Sequence, residues 1–169
     1  IYDNIDTKNE SSSSYSQNSN TFNRELIKIY IAHGFTWLGV QSMFIYMFAF
    51  IKHNMHAQTD AEAGQIISIA FLILNIVGFI LPATVFHPLS KKMKRVTIHA
   101  FALFIMAVAY VAIALWGASP LLTYFFMALA GIGWAAIVSL PFAIMSEKIQ
   151  KNKMGWYMGI FNLSIVIPQ

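Results

Sequence analysis

The sequence contains no cysteine, which excludes a disulfide framework, a thiol nucleophile and a metal site built on cysteine. Charged residues are also scarce: they make up 11% of the 169 residues, against roughly 25% in a typical soluble domain. A water-soluble globule of this size could not cover its surface with so few ionic groups. Hydrophobic residues, by contrast, reach 57% and aromatic residues 15%. This composition predicts a membrane protein.

Residues 1–25 form a polar segment rich in serine and asparagine, with four consecutive serines at Ser11–Ser14. Such a segment buries too little apolar area to offset its ordering entropy, so we predict a flexible linker. It lacks the basic start, apolar middle and cleavage site of a secretory signal. Because the chain begins at Ile1 and ends at Gln169 within an apolar run, we expect it to be a fragment of a longer protein.

Residues 26–169 alternate long apolar runs with short polar breaks, and predict a transmembrane bundle. Each complete run has about 20 residues or more, enough to cross a hydrocarbon core of about 30 Å as a helix. Helices are required because backbone groups inside lipid must pair within their own segment. We therefore predict an all-α membrane protein with about four complete transmembrane helices and the start of a fifth. The runs cover approximately 27–51, 63–86, 96–116 and 119–145, with the last beginning near 155.

Basic residues cluster in every second break between the runs, and Lys52 alone lies in the opposite set of breaks. The clusters are Arg24 and Lys28; Lys91, Lys92, Lys94 and Arg95; and Lys148, Lys151 and Lys153. An excess of basic residues marks the cytoplasmic side, so the linker and both basic loops are predicted to be cytoplasmic, in a cell (inner) membrane. Topology thus explains the net charge of +4, and no nucleic-acid binding is predicted.

A short pattern in the first run recurs in the fourth run at a constant offset. Gly34, Trp37 and Ser42 correspond to Gly131, Trp134 and Ser139. The two runs cross the membrane in opposite directions, as the inverted three-helix repeats of transporters require.

The centres of the runs contain no Asp, Glu, Lys or Arg, so this segment offers no carboxylate for proton coupling. There is no paired-carboxylate site and no phosphate-binding glycine loop. His53 and His56 lie three residues apart in a short break without an evident third ligand. We predict no enzyme activity, no cofactor and no metal site.

Neutral polar and aromatic residues remain on four of the runs, and they predict a sugar site. Amide and hydroxyl groups bind sugar hydroxyls without the desolvation cost of a full charge, and an aromatic ring stacks on a pyranose. On the first run, the spacing of four or three residues places His33 and Phe44 on one face with two of the candidates. The candidate cavity-lining residues are Trp37, Gln41, Asn75, Trp134 and Asn162.

Simpler roles exist for each of these residues. Amide and hydroxyl side chains can join helices, at about 0.6 kcal/mol per hydrogen bond. His33 lies in the cytoplasmic third of its run, where an interfacial position is an alternative. The small residues Ala128, Gly131 and Ala135 predict a close-packing surface on the fourth run, and the third run is predicted to face lipid or only to pack.

Four segments are recognisable together: 35–46 (FTWLGVQSMFIY), 88–95 (PLSKKMKR), 131–143 (GIGWAAIVSLPFA) and 155–169 (GWYMGIFNLSIVIPQ). They resemble the sugar–cation symporters of the major facilitator superfamily, with the sucrose/maltose branch of the glycoside–pentoside–hexuronide group as the closest likeness. The match covers roughly 27–169, and its most specific part is the ending from Asn162 to Ile-Pro-Gln. The basic loop departs from the superfamily motif, because it has lysine at Lys91 and Lys94, where the motif has an acid and a glycine.

The resemblance implies a partial major facilitator superfamily fold: helices seven to ten and part of eleven of the carboxyl-terminal half. The missing amino-terminal half would be its partner and would hold the coupling residues. Helices seven, eight, ten and eleven would border the cavity, and the ninth would stand outside. The implied function is secondary active transport of an α-glucoside such as sucrose or maltose, by proton symport with alternating access across the lipid bilayer.

Two alternatives stay open at this point. One is a transporter of the same fold for another small solute, such as a hexuronide or other metabolite. The other is a non-transporting membrane scaffold, in which the polar residues only join helices.

Overall fold

The described part of the chain consists of helices joined by short turns, with no strand among the described residues. A computed structural model describes residues 3–149 and 154–169, with side chains described for Arg24 and from Leu26 onward except Lys148. A π-helical turn, Pro82–Phe86, joins the second and third helices. The helices are α1 (Asp3–Asn54), α2 (Asp60–Leu81), α3 (His87–Leu89), α4 (Arg95–Trp116), α5 (Pro120–Lys148) and α6 (Met154–Val166).

Four of these helical segments are long and apolar enough to cross a membrane. They are Leu26–Asn54, Asp60–Leu89, Arg95–Trp116 and Pro120–Glu147, with 29, 30, 22 and 28 residues. The apolar helix Met154–Val166 is shorter. The predicted all-α membrane fold, with four complete transmembrane helices and the start of a fifth, is confirmed for the described residues.

The first helix begins earlier than the sequence predicts. It starts at Asp3, so its backbone includes most of the segment 1–25 that composition assigns to a linker. Serine and asparagine are weak helix formers, but adding a residue to an existing helix is far easier than nucleating a new one. The apolar segment after Leu26 supplies such a nucleus. The flexibility of 1–25 stays a prediction, and Lys151 and Lys153 of the second basic loop lie outside the described residues.

Local chemistry explains where the inner helices begin and end. The Thr59 side chain accepts a hydrogen bond from the backbone N–H of Glu62 at 3.1 Å, and the Glu62 carboxylate accepts one from the Gln58 N–H at 2.8 Å. Ser119 caps α5 just before Pro120, a position where the missing N–H of proline costs nothing. Pro82 cannot donate to the α-helical ladder, and the wider π turn begins there.

Helix α5 lies between α2 and α4, and small residues allow both contacts to be close. A Cβ at Gly131 would lie 2.7 Å from the Cβ of Val77 on α2, and a Cβ at Gly133 would lie 3.0 Å from the carbonyl oxygen of Ala102 on α4. The predicted close-packing surface is therefore confirmed at Gly131. Helix α1 packs on α2, α5 and α6 and completes the bundle.

The described residues that flank the basic breaks lie at one end of the bundle. Leu26 at the start of the first span, Met145 near the end of α5 and Phe161 of α6 form one buried cluster. At the same end, Arg95 of α4 forms an ion pair of 2.7 Å with Glu147 of α5. Lys52 pairs with Asp60 where α1 connects to α2. This grouping agrees with the predicted charge asymmetry, whereas the compartment that each end faces stays a prediction.

We expect the Arg95–Glu147 pair to contribute little to stability. The two side chains are 33% and 57% exposed, and ion pairs at such positions contribute at most about 1 kcal/mol. Glu147→Gln should therefore lower the free energy of unfolding of the complete protein by less than about 1 kcal/mol, measured by denaturant titration in detergent. Asp60→Asn is the matched control at the other pair. A loss comparable to that of a core truncation would contradict this expectation.

Candidate functional site

A hydrogen bond between α2 and α5 joins two of the predicted site residues. The indole Nε1 of Trp134 donates to the Oδ1 of Asn75 at 3.2 Å, and the Asn75 amide donates to the carbonyl oxygen of Phe71 at 2.8 Å. Gly78 provides the space for the indole, since a Cβ there would lie 2.6 Å from Trp134 Cδ1. The absence of a side chain at Gly78 thus lets Trp134 reach Asn75.

A third predicted residue, Trp37 of α1, lies against Trp134. The two indole rings meet edge to face, with centroids 5.8 Å apart and an interplanar angle of 76°. The Nε1 of Trp37 donates to the Nε2 of His33 at 2.9 Å. The structure therefore brings Trp37, Trp134 and Asn75 together from three helices.

The other two predicted residues are not part of this contact. Gln41 is half-buried one helical turn beyond Trp37, and no hydrogen bond joins it to a described residue. Asn162 is exposed on α6, and none of the described hydrogen bonds joins it to the other four. Both stay predictions as cavity-lining residues.

Aromatic side chains that were not predicted as site residues extend the contact in both directions. Phe44 lies with its ring centroid 5.8 Å from that of Trp134 and 5.1 Å from that of Phe71. At the other end, the fully buried Phe161 stacks on His33 at 4.6 Å. We call the set the aromatic row; in order, it is Phe71, Phe44, Trp134, Trp37, His33 and Phe161.

Helical spacing could have identified part of the aromatic row. Phe44 shares a face with Trp37, and Phe71 lies one turn before Asn75. No comparable signal marks Phe161, because the sequence contains 14 phenylalanines, most of them in apolar runs.

The two members of the repeated pattern also occupy similar local structures. Ser42 on α1 and Ser139 on α5 each donate to the carbonyl oxygen four residues earlier, at 2.9 and 2.6 Å. The two tryptophans of the pattern, Trp37 and Trp134, contact each other. Thr36, Ser68 and Thr84 make the same bond to the carbonyl oxygen four residues earlier, so it is not specific to the pattern, and the internal repeat stays a prediction.

The chemistry of the site is that of a neutral polar surface. It offers one amide, in an exposed position, and two large rings, and no acid–base pair that could catalyse a reaction lies in the contact. Among the described residues, no cluster of three or more His, Cys, Asp or Glu side chains could hold a metal ion. Such a surface can bind an uncharged solute through stacking and hydrogen bonds.

A separate groove of about 270 Å³ lies between α1 and α4. Its lining is mostly apolar and includes Met43 and Phe50 of α1 with Tyr110 and Ile113 of α4. None of the five predicted site residues lines it. A polar solute would find few hydrogen-bonding groups there, so the Trp37–Trp134–Asn75 contact is the better candidate site for a polar solute.

Comparison with known families agrees with the helical bundle. The sequence profile of the Major Facilitator Superfamily matches residues 7–168, which is most of the chain. Neither a curated protein nor a solved structure matches the chain. This family transports small solutes across membranes, which fits four apolar helices of membrane length. The chain belongs to the major facilitator superfamily and is a multi-pass membrane protein of a family of small-solute transporters.

Proposed function

We propose that the chain is part of the carboxyl-terminal half of a secondary active transporter that moves an α-glucoside such as sucrose or maltose. The transporter would couple sugar to protons by symport, with alternating access to a site between its two halves. In this proposal residues 1–25 are a cytoplasmic linker, and 26–169 are helices seven to ten with part of eleven. The protein lies in the cell (inner) membrane with its amino-terminal tail in the cytoplasm.

The observation that carries this proposal is the contact of Trp37, Trp134 and Asn75. A sugar presents an apolar ring face and several hydroxyl groups, which match an indole and an amide. The exposed position of Asn75 leaves part of its amide accessible beside the Trp134 ring. An uncharged solute suits this surface better than a hexuronide, because a carboxylate would call for an arginine or lysine partner.

The alternative of a non-transporting scaffold has one observation in its favour. The Trp134–Asn75 hydrogen bond joins two helices, as a purely structural bond would. A transporter moves a solute across the membrane and a scaffold does not, so a transport measurement separates the two functions.

The test is solute-dependent proton uptake by the complete protein in liposomes, with sucrose, maltose and a glucuronide as solutes. The proposal expects sucrose or maltose to drive proton entry and the glucuronide to give none. If the glucuronide is the only one of the three solutes that drives proton uptake, the protein is instead a transporter of the same fold for another small solute. No uptake with any solute, from protein that is folded and inserted, would favour the scaffold.

Replacement of the candidate amides provides a finer test. We expect Asn75→Ala to raise the KM for the transported glucoside about fivefold to tenfold, because one hydrogen bond contributes about 1 kcal/mol. Gln41→Ala and Asn162→Ala should also weaken uptake if both line the cavity. Ser42→Ala is the control, since its hydroxyl bonds only to its own helix. Initial uptake rates at varied sugar concentration give KM, and unchanged values for all three amide variants would contradict the proposed site.

A further inference from the structure

His33 is a buried histidine with an unusually defined hydrogen-bond state. Its side chain is 2% exposed. Its Nε2 accepts the indole N–H of Trp37 at 2.9 Å, and its ring stacks on Phe161 with an interplanar angle of 17°. The aromatic row therefore holds the imidazole on two sides.

The Trp37 bond determines where His33 carries its proton. An indole N–H can only donate, so the Nε2 of His33 must be unprotonated and the neutral ring has its hydrogen on Nδ1. That Nδ1 atom is buried and has no hydrogen-bond partner among the described residues. A further proton can bind only at Nε2, the atom that accepts the bond from Trp37. Protonation of His33 and the Trp37 hydrogen bond are thus mutually exclusive.

The titratable groups around His33 are few. From α4, His99 interacts electrostatically with His33, so a charge on one opposes a charge on the other. From α1 itself comes Tyr30, whose hydroxyl donates to the backbone oxygen of Tyr157 on α6 at 3.4 Å. The α5 residues in ring contact with this part of the aromatic row, Trp134 and Phe142, carry no titratable group. No carboxylate acts on His33 from the described residues.

We propose that His33 is a positioning residue that binds a proton and thereby releases the indole of Trp37 for the solute. A hydronium ion in the cavity transfers its proton to the lone pair of Nε2, which forms an N–H bond and leaves a water molecule. The Trp37–His33 hydrogen bond breaks, and the indole N–H becomes available to a sugar hydroxyl. For the identity of the solute, this inference rests on the function proposed above. It places a proton-sensing group in the half of the transporter whose helix centres lack any charged residue.

The sign of the coupling follows from this exclusion. At high pH His33 is neutral and occupies the Trp37 N–H, so the sugar has one donor fewer. At low pH the imidazolium releases that donor, and the KM for sugar falls. Because coupling between two binding events is reciprocal, bound sugar also favours the protonated His33. The expected change in KM is about fivefold, at the lower end of typical coupling between sites.

The first experiment measures KM for sugar uptake by the complete protein between acidic and alkaline pH. His33→Gln retains an acceptor for Trp37 but cannot be protonated, so its KM should stay at the high, alkaline value at every pH. Trp37→Phe has no indole N–H to release, so its KM should also be independent of pH. His87→Gln, at an exposed histidine of α3, should keep the wild-type dependence. A wild-type dependence in His33→Gln would overturn the proposal.

The second experiment needs no solute. The tryptophan fluorescence of the purified protein is titrated with pH, and Trp37→Phe identifies the part that comes from Trp37. The proposal expects that part to change with pH in the wild type and to be constant in His33→Gln; a change that persists in His33→Gln would refute it. If the fluorescence result holds but no sugar is transported, the link between His33 and Trp37 stands and the sugar assignment fails. If sugar is transported but His33→Gln changes neither the pH dependence of KM nor that of the Trp37 fluorescence, the sugar assignment stands and the link between His33 and Trp37 fails.

Discussion

Replacement of Trp134 by alanine is expected to reduce kcat/KM for sugar uptake about 100-fold. Trp134 makes one hydrogen bond to Asn75 and edge-to-face contacts with Trp37 and Phe44. At about 1 kcal/mol for each of the three, the variant loses about 3 kcal/mol of the interactions that hold the site together. The arrangement that can bind sugar then becomes a minor state. The apparent affinity for sugar falls in proportion to the fraction of protein in that state.

Two further variants make this prediction specific. Trp134→Phe keeps a ring but leaves the Oδ1 of Asn75 without its donor, so we expect a loss of about fivefold. Trp116→Ala is the matched control, because that indole is 60% exposed at the end of α4. The measurement is the initial rate of labelled sugar uptake in proteoliposomes, with equal insertion checked for each protein. A Trp134→Ala protein that transports like Trp116→Ala would remove Trp134 from the site.

The transmembrane fold could be predicted well from the sequence because bilayer thickness leaves few choices. A run of about 20 apolar residues must be a helix, and the polar breaks must contain the turns. The breaks at residues 55–59 and 117–119 are non-helical in the structure, as expected. By contrast, the start of α1 at Asp3 could not be predicted, since composition measures the helix propensity of a segment and not its attachment to a stable helix.

The candidate site could be predicted only in part. Asn75 and Trp134 lie on different helices, and the helical periodicity of each run indicated which residues share a face but not which faces meet. Their contact depends on Gly78, whose missing side chain admits the indole. The His33–Trp37 bond was within reach of the sequence, because the two residues are one turn apart on α1. The sequence does not show which nitrogen of His33 accepts this bond. Only the three-dimensional structure shows that it is Nε2, the atom at which a further proton would bind.

Substitution of Gly131 is expected to disrupt the packing of α2 against α5. The space beside Gly131 is filled by α2: a Cβ would lie 2.7 Å from Val77 Cβ and 3.0 Å from the carbonyl oxygen of Leu74. One of these atoms belongs to the backbone, so α2 and α5 would have to separate. We expect Gly131→Ala to lower the free energy of unfolding by about 2 kcal/mol, within the range for overpacked cores. Gly131→Leu should prevent the bundle from assembling.

Gly64 of α2 provides the control, since no atom lies within 4 Å of a Cβ built there. Alanine is favoured over glycine in a helix by about 1 kcal/mol, so Gly64→Ala should leave stability unchanged or raise it. Denaturant titration of the complete protein in detergent gives both free energies. Changes in the free energy of unfolding with opposite signs at the two glycines would distinguish close packing from helix propensity. A Gly131→Ala protein as stable as Gly64→Ala would show that α2 and α5 do not pack through Gly131. Because the same approach of α2 to α5 brings Asn75 to Trp134, loss of sugar affinity should accompany the loss of stability in Gly131→Ala and be absent in Gly64→Ala.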